Sequence, residues 1–257
     1  MQLGLTGRRA LVTGGSKGIG YAICEELLAE GGAVVFCARN PGDVAAAAAS
    51  LAERGPATGV VCDVTDAAAV TAMVAAAAET LGGLDILVNN AGGAHPGGFE
   101  DLSDEDWQGD LDVKLFSQIR CCRAALPHLR VSPAPRVVNI NAVYGRYPDP
   151  AFFATSVNRA ACQNLTKVLA AQYGPDGILV NSVNIGFVDT PQWDNIRAKR
   201  APGSTKDEFF ARLSAAEVPL GRFGTTDEVS GVVAFLASDR ASYVTGAVID
   251  VAGGMGR

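Results

Sequence analysis

The chain has 257 residues, 48% of them hydrophobic and 19% charged, with a formal net charge of −6. That is the composition of an ordinary globular protein, long enough to bury a sizeable core. It excludes nucleic-acid binding through a cationic face, because no basic block is present, and no apolar run reaches the roughly 18 residues of a membrane span.

Short β-rich apolar runs alternate with longer helical patterns along the chain. Arg8–Thr13 reads as a strand and Gly18–Glu30 as a helix. Ala33–Ala38 is a strand and Asp43–Arg54 an alanine-rich helix. Thr58–Cys62, Asp66–Leu81 and Leu84–Asn89 follow as strand, helix and strand. Trp107–Leu129 is a long helix, Arg136–Asn141 a strand and Phe152–Tyr173 a second long helix. Ile178–Asn184 and Ala247–Val251 are strands, with a helix at Thr226–Leu236 between them. The strands are near-continuous apolar runs, as expected when helices cover both faces of a sheet. The unbroken alternation predicts a single α/β domain over 1–257: a Rossmann-type, doubly wound parallel sheet with right-handed crossovers. Gly93–Gly98 and Pro191–Ser204 read as mobile loops. The segment 191–217 is expected to cover the substrate, and its Trp193, Phe209 and Phe210 suggest an apolar or cyclic compound or, equally, a core or interface role.

The N-terminus lacks the charged, apolar and cleavage regions of a signal peptide. The six cysteines form no CxxC pair and lie in regular apolar segments, so they read as buried free thiols in a reducing cytoplasm. His95 and His128 are far apart, and no metal site is expected.

The most informative stretch is Ala10–Leu11–Val12–Thr13 running into Gly14–Gly15–Ser16–Lys17–Gly18–Ile19–Gly20. Glycines allow a sharp turn and close approach of backbone N–H groups to phosphate. The helix that follows offers unpaired N–H groups and a positive dipole end to an anion. A strand before and a helix after is the context in which such a run binds a dinucleotide pyrophosphate. The next strand ends Ala38–Arg39, where an acidic residue would select a free ribose 2′-hydroxyl. Arg39 and Lys17 can instead face a 2′-phosphate, which favours NADP(H).

Over essentially its full length the chain resembles the short-chain dehydrogenase/reductase family, with the layout of its ketoacyl reductases. The glycine motif has that family's spacing. Cys62–Asp63–Val64 looks like its adenine-contacting Asp-Val pair, and Asn89–Asn90–Ala91–Gly92 like its NNAG motif. Val180–Gly186 is similar to the stretch ending in Pro-Gly, with Ile185 in the proline's place. Thr190–Pro191 looks like the Thr-Pro near the nicotinamide. The resemblance implies a cofactor site built from Gly14, Ser16, Lys17, Gly18, Ile19, Gly20, Arg39, Asp63, Val64, Asn90, Ala91, Gly92, Arg159, Gly186, Val188 and Thr190. It also implies a homodimer or homotetramer joined through the two long helices.

The family's chemistry rests on a Tyr four residues before a Lys, assisted by a Ser and an Asn. None of the five tyrosines here has a lysine four residues later. Counting back from Asn164–Leu165–Thr166–Lys167 places Thr155 at the tyrosine and Arg159 at the lysine. Ala142 takes the serine position and Lys114 the asparagine position, so the whole set is replaced. A threonine hydroxyl is a poor proton donor near neutral pH, and an arginine stays protonated. Lys114 can polarise a substrate oxygen or, if desolvated, act as acid or base; it can equally be a structural lysine. Tyr144 can present a phenol, Asn141 can orient an oxygen, and His95 lies in the loop by which family substrates approach.

Three functions fit this pattern. One is an NADP(H)-dependent oxidoreductase with a rebuilt proton path, acting on a small apolar, cyclic or conjugated compound. The second is a non-redox cyclase or isomerase that keeps the cofactor as scaffold. The third is a catalytically silent cofactor-binding partner of an active homologue. Fold alone does not separate them.

Overall fold

Leu11 and Val12 are adjacent in sequence, yet they pack into different apolar clusters, one on each side of a sheet. This is the consequence of a pleat that turns successive side chains to opposite faces. The computed structural model describes residues 2–256. Its first half runs β1 (Arg9–Thr13), α1 (Gly18–Ala29), β2 (Ala33–Ala38), α2 (Pro41–Ala52), β3 (Ala57–Val61), α3 (Ala67–Leu81) and β4 (Ile86–Asn89). The second half runs α4 (Asp104–Leu111), α5 (Ser117–Leu129), β5 (Arg136–Ala142), α6 (Phe153–Tyr173), β6 (Leu179–Ile185), α7 (Gln192–Arg200), α8 (Lys206–Glu217), α9 (Thr226–Ala237) and β7 (Val248–Val251).

The seven strands lie in the order β3-β2-β1-β4-β5-β6-β7, and every neighbouring pair is parallel. The order reverses between β1 and β4. In an open parallel sheet a crevice forms at such a reversal, beyond the carboxyl ends of the strands. One face is covered by α1 and α9, whose Ile23, Leu27, Val229 and Val233 pack on Val12, Val34 and Val88. The other is covered by α3, α5 and α6, with Met73, Val74, Cys121 and Ala170 against Leu11, Leu87 and Val137. Each Val, Leu, Ile or Met side chain so removed from water contributes about 1.5–3 kcal/mol. All six cysteines are buried and free.

Two segments differ from the sequence expectation. Pro191–Ser204 reads as a loop, but Gln192–Arg200 is helical. Its polar, charge-rich surface carries little apolar periodicity, and the helix is held instead by Trp193, which packs edge-on against Phe187 and Phe223. The long helix expected at Trp107–Leu129 begins earlier, where Ser103 accepts from the Asp106 N–H and Asp106 accepts in return from Ser103. That reciprocal cap fixes the first turn. The helix is then interrupted by a π-helical turn over Asp112–Phe116 before α5 resumes.

The polar content of the central strands positions the site. Asn139 and Asn141 stand two apart on one face of β5, the face that α6 covers. Asn139 accepts from Asn89 at 2.8 Å and donates to Thr166 at 2.9 Å. Asn141 donates to Ser182 of β6 at 2.8 Å. Unpaired amides here would each cost about 1–3 kcal/mol, so these bonds fix how α6 sits on the sheet.

Candidate active site

The carboxyl ends of β1 and β4 are tied together by bonds between side chain and main chain. Asn90 donates from Nδ2 to the carbonyls of Thr13 and Gly14, both at 3.0 Å. Thr13 Oγ1 accepts from the N–H groups of Asn90 and Ala91 at 3.0 and 3.1 Å. Gly14 has φ 69°, a left-handed conformation that favours glycine. A side chain at Gly20 would meet the Gly14 carbonyl oxygen and Asn90 Nδ2. Among the described residues no side chain caps the first turn of α1, so its N–H groups are open to an anion. The cradle therefore fits a dinucleotide pyrophosphate.

A cavity of about 440 Å³ opens from this cradle toward β5, β6 and α7. Its floor at one end is Gly14, Lys17, Gly18, Ile19 and Gly20, facing Asn90, Ala91 and Gly92. Asn141, Tyr144, Thr155 and Arg159 line its middle, and Gly186, Val188 and Thr190 its far side. Ser16, Arg39, Asp63 and Val64 lie outside this cavity. Arg39 directly follows β2 and is exposed. Asp63 follows β3, where hydrogen bonds from Thr65, chiefly from its N–H, hold the carboxyl below its usual range with help from Arg39. Val64 is buried in the core. Lys17 forms an ion pair with Asp43 at 2.8 Å. His95 turns its imidazole toward Asp106 at 3.5 Å, and only its backbone reaches Thr155.

The reactive middle is built by one face of α6. Thr155, Asn158, Arg159, Cys162 and Thr166 recur at helical spacing, and all are buried. Arg159 donates to the Ile140 carbonyl at 2.9 Å and to Asn141 Oδ1 at 3.2 Å. Asn141 also accepts from Gln118. Its amide is thus engaged in holding Arg159. The Nε of Arg159 has no hydrogen-bond partner among the described residues, and Nη2 lies against Gly92 at the cofactor end. A buried guanidinium with an unused N–H in this position fits a ribose hydroxyl. Tyr144 stacks on Phe152 with ring centroids 4.9 Å apart. Its hydroxyl is buried without a partner among the described residues, and burial, followed by Glu217 and Asp149, raises its pKa well above that of a free phenol.

Lys114 lies in the π-helical turn and is 1% exposed. Its ammonium contacts Asp110 and donates to Thr155 Oγ1 at 3.1 Å. Burial, then the Arg159 guanidinium, pushes Lys114 down from 10.5 to about 6, while the Asp110 carboxylate favours the charged form. Sequence reasoning missed two members of this cluster. Asp110, 2% exposed, precedes Lys114 by one helical turn, and Asn158, 3% exposed, donates to it at 2.8 Å. The spacing of Asp110 and Lys114 is visible in the sequence; their burial is not. Among the described residues no group of acidic, histidine and cysteine side chains is arranged to hold a metal, and no helix is long and apolar enough to cross a membrane.

A family model described as enoyl-(acyl carrier protein) reductase matches residues 14–256. The short-chain reductase protein NovJ of Streptomyces niveus is 38% identical over 247 residues, 95% of this chain and 92% of that protein. A short-chain oxidoreductase of Pseudomonas aeruginosa, solved with NADPH and described as containing an atypical catalytic center, superposes with a TM-score of 0.90. It is 40% identical, with 96% of each chain covered. The L-sorbose reductase of Gluconobacter frateurii, solved with NADPH and L-sorbose, has a TM-score of 0.95 at 31% identity, covering 99% and 98% of the two chains.

Proposed function

Because the chain belongs to the short-chain dehydrogenase/reductase family, we propose that it is an NADP(H)-dependent oxidoreductase in which Lys114 holds the proton for a carbonyl–alcohol interconversion. The observation that carries this reading is the 3.1 Å contact between the buried Lys114 ammonium and Thr155 Oγ1, whose residue lines the cavity. NADP(H) in the glycine cradle supplies or accepts the hydride. Gly14 to Gly20 and the open turn of α1 hold its pyrophosphate. Arg39 meets the 2′-phosphate; Lys17 adds less, since Asp43 already shares its charge. Arg159 donates to the ribose.

In the reducing direction the carbonyl carbon gains hydride and its oxygen gains one proton. Thr155 donates its hydroxyl proton to that oxygen as it receives one from Lys114, so the threonine never becomes an isolated alkoxide. Lys114 leaves the step as a neutral amine. The stacked Tyr144–Phe152 pair, Phe187 and Trp193 give the cavity flat apolar walls. They support a small apolar or cyclic substrate, in keeping with NADPH-bound neighbours that are reductases. The exposed residues Phe116, Val157 and Val168 on α6 and beside α5 are the expected contact between copies in a homo-oligomer.

The test is steady-state turnover, read by the absorbance of the reduced nicotinamide. Lys114→Met is expected to lower kcat on the order of 100-fold, the usual contribution of a positioned acid, with NADPH affinity within about threefold. Thr155→Val should lose at least about tenfold by the same argument, and Thr155→Ser should restore most of it. Wild-type kcat in Lys114→Met removes the proposed role, and product formation without net cofactor change favours the isomerase reading.

A further inference from the structure

Beneath the cavity lies a layer of buried polar groups that the proton path above does not use. Asp110, from the last turn of α4, is in contact with Lys114 through one carboxylate oxygen. Its other oxygen accepts from Asn158 Nδ2 of α6 at 2.8 Å. Both Asp110 and Asn158 are at least 97% buried. The charged and titratable groups facing Lys114 are Asp110 from α4, and Arg159 and Cys162 from α6. The Cys162 thiol donates to the Lys114 carbonyl at 3.5 Å.

We propose that Asp110, held by Asn158, is a positioning residue that keeps Lys114 protonated and aimed at Thr155, so that the reaction draws its proton from a buried store. The inference rests on Lys114 being the proton holder. Its physical basis is a competition. Burial and Arg159 disfavour the ammonium, and Cys162 favours it; the Asp110 carboxylate, in direct contact with it, is the full opposite charge that holds it. The amide of Asn158 donates to that carboxylate and stabilises its ionised form, which keeps the shared proton on nitrogen. A buried cation whose only counter-ion is removed sheds its charge or destabilises the fold.

Reduction needs protonated Lys114, so its rate falls as pH rises through the Lys114 pKa. Asp110→Asn removes the favourable charge and lowers that pKa. The alkaline limb of the pH–rate profile is therefore expected to move to lower pH by about one to three units, the size of an opposite-charge effect. A second readout needs no turnover. In cofactor-free Asp110→Asn, Lys114 sits far below its unfolded value. The stability tied to its neutral form is then present at high pH and lost as pH falls. The Tm deficit against wild type should be smallest above pH ~7, where Lys114 is neutral in both folded proteins, and grow as pH falls through the wild-type value of about 6.

An unshifted pH–rate profile with merely lower kcat, or a Tm deficit independent of pH, overturns the proposal and leaves the Lys114 role standing. Loss of the Lys114 role appears separately, as full activity in Lys114→Met. If Asp110→Asn does not fold, the double variant Asp110→Asn/Lys114→Met, which removes both charges, should recover folded protein. Failure of that rescue also overturns the pairing.

Discussion

The β1–β4 junction and the β5–α6 face lie side by side in one cavity, but they meet a ligand by different means. At the junction the contact surface is main chain: N–H groups of an uncapped helix, glycines without room for a Cβ, and an asparagine that clamps two loops. At the β5–α6 face the surface is side chain, with Thr155 and Arg159 lining the cavity and Lys114 buried behind Thr155. A backbone cradle depends on where a side chain is forbidden, so it survives only by keeping its glycines. A side-chain site depends on a charge balance, so it can be replaced if the whole set changes together. Exchanging the tyrosine alone would leave a hydroxyl with no acid behind it. Here the Thr155 hydroxyl is backed by the buried Lys114 ammonium at 3.1 Å.

The contrast can be tested at its strongest point by crowding the cradle. In Gly20→Val the new side chain meets the Gly14 carbonyl, so the start of α1 must shift. We expect NADPH affinity to fall on the order of 100-fold, about 2.7 kcal/mol, as measured by quenching of protein fluorescence. Near wild-type affinity would mean that the pyrophosphate is not held there. A smaller effect is expected at the edge of the same region. Arg39→Ala should weaken NADPH about tenfold, some 1.4 kcal/mol, and leave NADH within about twofold. Equal losses for both cofactors would remove Arg39 from the 2′-phosphate site. The smallest effect should come from the reactive region. The Tyr144 hydroxyl has no partner among the described residues, and its raised pKa makes it a weak acid. Tyr144→Phe is expected to keep kcat within about twofold, with Tm unchanged or slightly higher, because an unsatisfied buried hydroxyl contributes nothing. A tenfold loss would move the proton-donor role from Lys114 toward Tyr144.

These two regions were also unequally legible. The glycine loop and its strand–turn–helix setting are contiguous, and the conformation they impose is local. The same holds for the strands, whose apolar runs identified a parallel sheet covered on both sides. Counting back from Asn164 singles out Thr155 and Arg159, because spacing within a helix is fixed and both lie in α6; Ala142 and Lys114 are read from their own short stretches. Helix α7 is not legible in the sequence because its Trp193 is held by Phe187 and Phe223 from elsewhere in the chain. The alternative placing of Lys114 on the surface was equally open in the sequence, since nothing local says which way a lysine in a helix faces.

The amino-acid sequence by itself determined the doubly wound sheet, the dinucleotide cradle and the absence of any Tyr four residues before a Lys. Each is a matter of residues adjacent or regularly spaced along the chain. Only the tertiary structure decided that Lys114 is buried, paired with Asp110, backed by Asn158 and directed at Thr155. Those partners come from two helices as much as 48 positions apart. The charge a lysine carries is set by burial and neighbours, quantities that exist only once the helices have packed.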